Sequence, residues 1–359
     1  KAQMEELEKS DKICIPRTVK PDGNMQYASI GWDWTAGFYP GSLWYLYNLT
    51  EEEYWKSLAE KYTEALEKMQ YNTSHHDVGF IIGCSYMNGI RMGGEEKYKP
   101  VVVQAAKSLS TRFRPVAGVI QSWNTQKGWQ SERGWKCPVI IDNMMNLELL
   151  FEATRLSGDS TFYNIAVSHA DKTLKNHFRK DGSSYHVVDY DPETGEVRSR
   201  STAQGYADES AWARGQAWVI YGYTMCYRYT HNPAYLKQAE RTYDFIFTHT
   251  NMPEDLVPYW DYDALNIPNE PRDVSSAAIT ASALYELSSA TRYAGYKETA
   301  DLIMASLASS AYRAELGDNQ GFLLMHSVGS IPHGNEIDVP LNYADYYFLE
   351  ALKRKRDME

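Results

Sequence analysis

Acidic and histidine side chains stand at the starts of several apolar segments in this 359-residue sequence. Asp77 follows two histidines and precedes Val-Gly-Phe, while Asp142 follows two isoleucines and precedes an asparagine. A partly desolvated carboxyl group beside a second carboxylate retains its proton more strongly, which suits a general acid near neutral pH. Paired carboxylates in a cleft are typical of glycoside chemistry. Asp, Ser and Asn are also preferred helix N-caps, so capping is the ordinary alternative for both residues.

An arginine and a tryptophan in the segment "STAQGYADESAWARGQAWVIYGY" add cationic and aromatic groups. Arg214 and Trp218 are four residues apart and therefore share one face of a predicted helix. An arginine among apolar neighbours costs free energy unless it is paired. Its partner is either Asp208 or Glu209 in the same segment, or a substrate carboxylate held in a planar, two-bond pair. The sequence leaves both interpretations open.

The charge, the motifs and the cysteine spacing disfavour several classes of function. The formal net charge of −11 disfavours nucleic-acid binding, and an acidic ligand would need a locally positive pocket. No HExxH, GxSxG, phosphate-binding loop or GxGxxG motif is present, so metal, acyl-transfer and hydride chemistry are disfavoured, and we expect neither a metal nor a cofactor. The four cysteines are scattered without a CxxC pair, so we expect free thiols, mostly buried.

The cellular location is left open by the sequence. No apolar run is long enough to span a bilayer. The sequence begins with Lys1 rather than Met, from which we expect that an upstream segment was removed. Both a periplasmic and a cytoplasmic location fit, with unpaired cysteines slightly favouring a reducing compartment. The sequence contains no signal for the oligomeric state.

Two kinds of helical segment alternate along the chain and must position these side chains. The first kind is amphipathic, with an aromatic residue followed by alanines at helical spacing, and covers residues 51–66, 95–109, 160–174, 232–246 and 294–307. Asp159, Asn232 and Thr50 are expected to begin such helices. The second kind is apolar nearly all round, as in buried helices, and covers residues 35–48, 78–92, 143–156, 210–229, 276–290 and 343–352.

This alternation predicts an all-α fold in which six inner and six outer helices close into an (α/α)6 toroid. A helix near residues 2–10 would be the sixth outer partner, and residues 1–359 would form a single domain. An open solenoid is the alternative, but it would leave both ends uncapped. Residues 181–202 alternate in polarity around a Pro/Thr/Gly turn and predict a small β-hairpin insert. If the inner helices are parallel, their N-terminal ends and polar residues meet on one face of the ring.

Six motifs in the same order resemble the unsaturated glucuronyl hydrolases of glycoside hydrolase family 88. They are "WDWTAGFYPGSLW", "HHDVGFIIGCSY", "VIIDNMMNLELLFEA", "YADESAWARGQAWVIYGY", "DVSSAAITASALYEL" and "DVPLNYADYYFLEAL", and the resemblance covers nearly the whole chain. The family has the same toroidal fold. The resemblance implies an enzyme that removes a 4,5-unsaturated uronic acid from the non-reducing end of lyase-generated glycosaminoglycan-type oligosaccharides, so the expected partner is an unsaturated uronate-containing di- or oligosaccharide.

The resemblance implies catalytic roles for Asp142 and Asp77. Asp142 would donate a proton to C4 of the vinyl ether and then assist the attack of water at C5, after which the hemiketal opens. Asp77 would hold the sugar hydroxyls and favour the protonated form of Asp142 by like-charge proximity. This is hydration of a double bond, so no covalent glycosyl-enzyme is expected.

The resemblance also implies a set of substrate-binding residues, namely His186, Gln204, Arg214, Trp218, Trp34, Phe38, Trp123, Ser327 and Ser330. Ser327 and Ser330 lie in "HSVGSIPHGNEID", where family members adapted to sulfated sugars carry a lysine and this chain has His333. The alternatives are an unsaturated rhamnogalacturonyl hydrolase, a non-catalytic acidic-glycan-binding toroid and a sugar epimerase.

Overall fold

The predicted alternation of inner and outer helices is confirmed by the computed structural model, which describes residues 13–359. The inner helices of this part of the chain are α1 (Phe38–Thr50), α3 (Val78–Ile82), α5 (Leu147–Ser157), α7 (Ala213–Thr230), α9 (Val274–Thr291) and α11 (Asn342–Asp357). The outer helices are α2 (Glu53–Glu64), α4 (Lys99–Ser110), α6 (Ser160–Asn176), α8 (Pro233–Thr248) and α10 (Ala294–Ala308). The sixth outer helix, expected near residues 2–10, lies outside the described residues.

The last inner helix packs against the first, which closes the ring into an (α/α)6 toroid. The rings of Phe38 in α1 and Tyr346 in α11 lie 5.3 Å apart. The Tyr45 hydroxyl donates to the Glu350 carboxylate across the same interface at 2.7 Å. The open-solenoid alternative is therefore wrong.

Glycine allows two inner helices to approach at backbone distance near their N-terminal ends. A Cβ atom on Gly79 of α3 would lie 2.6 Å from the Cα atom of Asn146, immediately before α5. Asn146 uses this proximity, because its side-chain oxygen accepts the backbone N–H of Phe80 at 2.9 Å. The contact holds the segments that carry Asp77 and Asp142 close together.

An ionic cluster with a half-buried glutamate also joins the inner helices. The Glu148 carboxylate in α5 lies 2.7 Å from Arg91 and 2.8 Å from Arg228 of α7. Burial acts to raise the pKa of Glu148, but the charges of these arginines outweigh it and lower that pKa to about 2. The ionised carboxylate therefore stabilises the packing of the ring.

Of the three predicted helix starts, two are confirmed and one is wrong. The side chains of Asp159 and Asn232 accept backbone N–H groups at the starts of α6 and α8, as expected for N-caps. Thr50 instead ends α1, where its hydroxyl donates to the carbonyl of Leu46 at 2.7 Å. Threonine bonds equally well to a carbonyl one turn back, so its presence between two helices does not decide which helix it belongs to.

The second inner helix changes its winding along its length. After α3 the chain continues as π-helical turns over Gly83–Met87 and Gly89–Gly93. Together these segments cover the predicted range of residues 78–92. The region before α5 starts as a 3-10 helix, Ile141–Asn146, which carries Asp142.

The predicted hairpin is confirmed and belongs to a larger sheet. Strands β6 (Val187–Tyr190) and β7 (Val197–Ser201) pair antiparallel, and β5 (Cys137–Ile140) adds to the other edge of β6 with Ile140 opposite Val187. Three two-stranded sheets complete the strands of the described chain, namely β1 (Ile15–Val19) with β2 (Met25–Ala28), β3 (Phe113–Arg114) with β4 (Val119–Ile120), and β8 (Ser327–Ser330) with β9 (Asn335–Val339). The segment "HSVGSIPHGNEID" is thus a β-hairpin.

Within residues 13–359, no helix has both the length and the apolar character needed to cross a lipid bilayer. Cys84, Cys137 and Cys226 are buried free thiols, as expected, and Cys14 is half-buried. No group of three or more His, Cys, Asp or Glu side chains in these residues is arranged to hold a metal ion.

Candidate active site

A cavity of about 350 Å³ opens where the N-terminal ends of the inner helices meet. Its wall includes Trp34 before α1, Asp77 before α3, Arg214 in the first turn of α7 and Tyr343 in the first turn of α11. The other lining residues come from strands, loops and the short helical turn Trp129–Glu132, namely Arg17, Trp32, His75, Trp123, Trp129, Gln130, Ala203, Gln204, Gly329, Ser330, His333, Asn335 and Glu336. The polar helix starts therefore meet on one face, as the parallel arrangement predicts.

Capping explains some of the acidic residues at these helix starts but not Asp77 and Asp142. The carboxylates of Asp33 and Asp273 accept the backbone N–H two residues further on, at 2.9 and 3.1 Å, as N-caps do. Asp77 precedes α3 without making a side-chain capping bond. Oδ2 of Asp142 is buried with no hydrogen-bond partner among the described residues. A buried carboxylate oxygen without a partner has capacity for a ligand or a proton.

Two histidines hold Asp77 in its ionised form. Its Oδ2 lies 3.2 Å from Nδ1 of His75, and its Oδ1 lies 3.3 Å from Nε2 of His76. Burial acts to raise the pKa of Asp77, but His76, His75 and the nearby Arg112 outweigh burial and hold that pKa below its usual range. Burial acts to lower the pKa of His76, and the adjacent Asp77 acts to raise it, but burial has the larger effect. Asp77 therefore presents an anionic hydrogen-bond acceptor to the cavity.

Asp142 lies beside His186, slightly behind the cavity wall. Nδ1 of His186 accepts the backbone N–H groups of Ala203 and Gln204, two lining residues, at 3.0 and 3.2 Å. Because these donors occupy Nδ1, the proton of the neutral ring is on Nε2, which faces Oδ2 of Asp142 at 3.6 Å. Asp142 is 8% exposed. The fixed tautomer directs a donor toward the carboxyl group that has no other partner.

Arg214 has an internal carboxylate partner, but not the one expected. Its guanidinium lies 3.1 Å from Asp273 at the start of α9, and both side chains are 1% exposed. It also donates to the carbonyls of Val328 and Gly329, the latter at 2.7 Å. Asp208 instead accepts the backbone N–H of Thr202 at 2.9 Å. The expected pairing within one segment is wrong because the first turn of α7 faces α9 and β8.

The expected aromatic residues divide between the cavity and the core. Trp34 and Trp123 line the cavity. Phe38 and Trp218 are fully buried behind the wall, where both rings pack on Phe80 at 5.6 and 5.4 Å. Direct contact of Phe38 and Trp218 with a ligand is therefore not supported. Trp218 shares a helix face with Arg214, but it lies one turn further along α7 and therefore deeper in the ring.

The β8–β9 hairpin supplies the far wall of the cavity. Ser330 lines the cavity and bonds to Nδ1 of His333 at 2.7 Å, whereas Ser327 is fully buried and does not line it. The Gln204 side chain donates to the carbonyl of Gly329 at 3.2 Å. Since successive strand residues face opposite sides, Ser327 and Ser330 cannot both face the same cavity in a regular strand.

Several lining residues were missed by sequence reasoning. Trp32 and Tyr343 stand inside the quoted motifs, and His75 is the first of the two histidines before Asp77, but none of the three was selected. Arg17 and Glu336 carry no local signal, because their ion pair at 2.6 Å joins β1 to β9 across 319 positions. Only the folded chain brings them together.

A second depression of about 420 Å³ lies beside α10. Of its two acidic wall residues, Glu254 is exposed, and Asp255 is already bonded to Tyr312 at 2.6 Å and to Arg272 at 3.0 Å. None of its lining residues is a histidine, and none has a buried carboxylate oxygen without a hydrogen-bond partner, as Asp142 has.

A helical toroid whose inner-helix ends hold an anionic aspartate, a second carboxyl group with an unpartnered oxygen and exposed aromatic rings has the features of a glycoside-processing enzyme. The sequence profile of Glycosyl Hydrolase Family 88 matches residues 10–350. The chain belongs to this family.

Its relatives include unsaturated glucuronyl hydrolases and unsaturated chondroitin disaccharide hydrolases. The unsaturated glucuronyl hydrolase from Formosa agariphila is 48% identical over 96% of this chain and 85% of its own length. A solved unsaturated glucuronyl hydrolase specific for heparin is 44% identical, covers 99% of this chain and 94% of that chain, and has a TM-score of 0.94. A variant of the Streptococcus agalactiae enzyme complexed with dGlcA-GalNAc6S is 28% identical, covers 98% of this chain and 88% of that chain, and has a TM-score of 0.80. The chain therefore has the activity class of an unsaturated glucuronyl hydrolase.

Proposed function

We propose that Asp142 and Asp77 catalyse the removal of a 4,5-unsaturated uronic acid from the non-reducing end of glycosaminoglycan-derived oligosaccharides. The observation that carries the assignment is the contrast between the two carboxyl groups. Asp77 is held as an anion by two histidines, and Asp142 is left without a partner beside a neutral histidine. One group is suited to accept hydrogen bonds from sugar hydroxyls, and the other is suited to exchange a proton with the substrate.

The reaction is the addition of water to the vinyl ether. Asp142 gives its proton to C4, and a water molecule attacks C5 while returning a proton to Asp142. The C5 hemiketal then opens to a ketone, and the leaving sugar departs with its own glycosidic oxygen. The electron count balances without an oxidant, a reductant or a covalent enzyme intermediate.

His186 positions Asp142 in this proposal. Its Nε2–H group faces Oδ2 of Asp142, while two backbone N–H groups fix the tautomer through Nδ1. This fixed donor stabilises the carboxylate after it has given up its proton. Gln204, whose backbone takes part in this arrangement, and Ser330 lie on the cavity wall and are assigned to the sugar hydroxyls.

Aromatic rings hold the faces of the sugars. Trp34 and Trp123 present indoles to the cavity, and a sugar has an apolar C–H face that packs on such rings. Phe38, Trp218 and Ser327 support the wall from behind. We also assign residues 1–359 to one catalytic domain, because the main core runs through all the described helices of the ring.

The substrate class is tested by mixing the purified protein with unsaturated disaccharides from chondroitin, hyaluronan and heparin. Loss of the ultraviolet absorbance of the conjugated enol ether is expected on at least one of them, and the Asp142→Asn variant should abolish it because an amide cannot donate the proton. Loss of rate by about 10²-fold or more is expected for removal of a general acid. Normal turnover by this variant would contradict the role of Asp142.

Whether the bond between the glycosidic oxygen and the leaving sugar stays intact is tested in heavy-oxygen water with a disaccharide blocked as a methyl glycoside at its reducing end. The blocked leaving sugar should remain unlabelled, because its glycosidic oxygen is never exchanged, and the label should enter the keto sugar. Label in the leaving sugar would indicate direct displacement at its own carbon. If the protein turns over none of the disaccharides, including one from rhamnogalacturonan, the result would favour a glycan-binding toroid.

A further inference from the structure

We propose that Arg133 binds an anionic substituent, a sulfate group, on the leaving sugar. The inference rests on the proposed function and assigns a specificity-determining residue to the same cavity. Arg133 follows the short helical turn Trp129–Glu132, of which Trp129 and Gln130 line the cavity. The arginine therefore lies at the rim, beyond the residues that surround the uronic acid.

Two indole rings fix the position of the Arg133 guanidinium. Its central carbon lies 5.9 Å from the ring centre of Trp129 and 5.5 Å from that of Trp135. These rings belong to one aromatic cluster, because Trp123 lies 5.1 Å from Trp129 and 5.8 Å from Trp135. These cation–π contacts favour this position of the guanidinium and do not use its five N–H donors, which are available for an anion.

The location of Arg133 beside the cavity has a second, independent support. Trp129 contacts the ring of His333 at 4.9 Å, and His333 lines the cavity next to Ser330. Burial lowers the pKa of His333, and the positive charge of Arg133 lowers it further. His333 is therefore neutral near pH 7 and adds no positive charge beside Arg133.

The two arginines of the cavity wall are already neutralised by carboxylates. Arg17 lies 2.6 Å from both Asp33 and Glu336. Arg214 pairs with Asp273. Arg133, in contrast, is exposed and makes no ion pair with a carboxylate among residues 13–359. It is thus a positive group at the cavity that retains its full charge for a ligand, on a protein whose net charge of −11 would otherwise repel a sulfated sugar.

Sulfate suits this arrangement chemically. A tetrahedral anion offers several oxygens at spacings that match the paired N–H groups of a guanidinium. The aromatic rings that contact the guanidinium are in the same cluster as Trp123, a lining residue, and we place the leaving sugar against this cluster. A sulfate on that sugar can therefore reach Arg133 while the uronic acid occupies the inner cavity.

The test compares pairs of unsaturated disaccharides that differ only in one sulfate group, from chondroitin and from heparin. For the wild type and the variants Arg133→Gln and Arg133→Lys, the ratio of kcat/KM on the sulfated and unsulfated member of each pair is measured. Arg133→Gln should lower this ratio about tenfold, mainly through KM, as expected for one charge-assisted contact. Arg133→Lys should restore only part of it, because an ammonium lacks the planar fork.

Lys127→Gln is the matched control, since it removes the same charge from an exposed position of the same segment. The ratio should not change in this variant. An equal fall in the Lys127→Gln and Arg133→Gln variants would indicate general attraction and overturn the assignment, as would a ratio unaffected by Arg133→Gln or a wild type that turns over only unsulfated members. Failure of the wild type on every disaccharide would instead reject the proposed function itself.

Discussion

Replacement of Arg214 by alanine should destabilise the whole protein and not only its ligand binding. The side chain is 1% exposed and lies 3.1 Å from Asp273, which is buried to the same extent. Its removal leaves the Asp273 carboxylate buried without a cation. Breaking a buried pair in this way costs about 3–5 kcal/mol. Asp273 keeps its capping bond to the start of α9 at 3.1 Å, so we expect the lower half of this range.

The loss should also reach the cavity through the β8–β9 hairpin. Arg214 donates to the carbonyls of Val328 and Gly329 and so connects this hairpin to α7. Without these bonds, the neighbouring Ser330 is held less firmly, and KM should rise. Lower stability and weaker substrate binding are thus expected together.

The assay is guanidinium-induced unfolding, followed by fluorescence, of wild type, Arg214→Ala, Asp273→Asn and the double variant. A coupling free energy above about 1 kcal/mol between the two sites is expected, because the partners are in direct contact. Arg292→Ala, which removes an exposed arginine at the end of α9, is the control for loss of charge alone. If Arg214→Ala unfolds at the same denaturant concentration as this control but no longer binds uronates, the arginine serves the ligand and the reasoning from the internal pair is refuted.

Three further outcomes follow from the packing and the charges. Gly79→Ala should cost about 2 kcal/mol by overpacking against Asn146 and should also reduce kcat, which thermal unfolding and steady-state kinetics would check; unchanged values would show that the backbone contact is not tight. The pKa of Glu148, about 2 against a usual 4.5, should add roughly 3 kcal/mol to the free energy of unfolding. This contribution is fully present above pH 4.5 and is lost as the pH falls toward 2. Denaturation of Glu148→Gln across this range should therefore differ from wild type at pH 7 and converge with it in acid; a constant difference would contradict the sign. Trp32→Ala, at a ring 65% exposed on the cavity wall, should raise KM for oligosaccharides with little change in melting temperature, and an equal loss of stability would assign the ring to packing instead.

The helical ring could be predicted because burial leaves a periodic trace along the chain. Segments that are apolar nearly all round form the inner helices α1, α7 and α9, and segments with one polar face form the outer helices. Errors arose where one residue type serves two local functions. Thr50 ends a helix that it was expected to precede, since its hydroxyl bonds back to Leu46.

The candidate site could be predicted in part, because motifs identify residues but not the directions in which their side chains point. Asp77, Trp34 and Ser330 line the cavity as expected, whereas Trp218 and Ser327 belong to the core. A residue that lies one turn further along a helix, or on the other face of a strand, faces the core instead of the cavity. Which of the two it faces depends on which neighbour the element packs against.

The amino-acid sequence by itself determined the ring of paired helices, the hairpin insert and the presence of two candidate catalytic carboxyl groups, because periodicity and motif order are local properties. Only the tertiary structure decided how the charges are distributed. Arg214 pairs with Asp273, 59 positions away, and Arg17 pairs with Glu336 across 319 positions. The physical reason is that pairing energies depend on distance and burial in three dimensions, which separation along the chain does not encode. The same reason decides that Asp77 is held ionised by histidines while Asp142 keeps an oxygen without a partner.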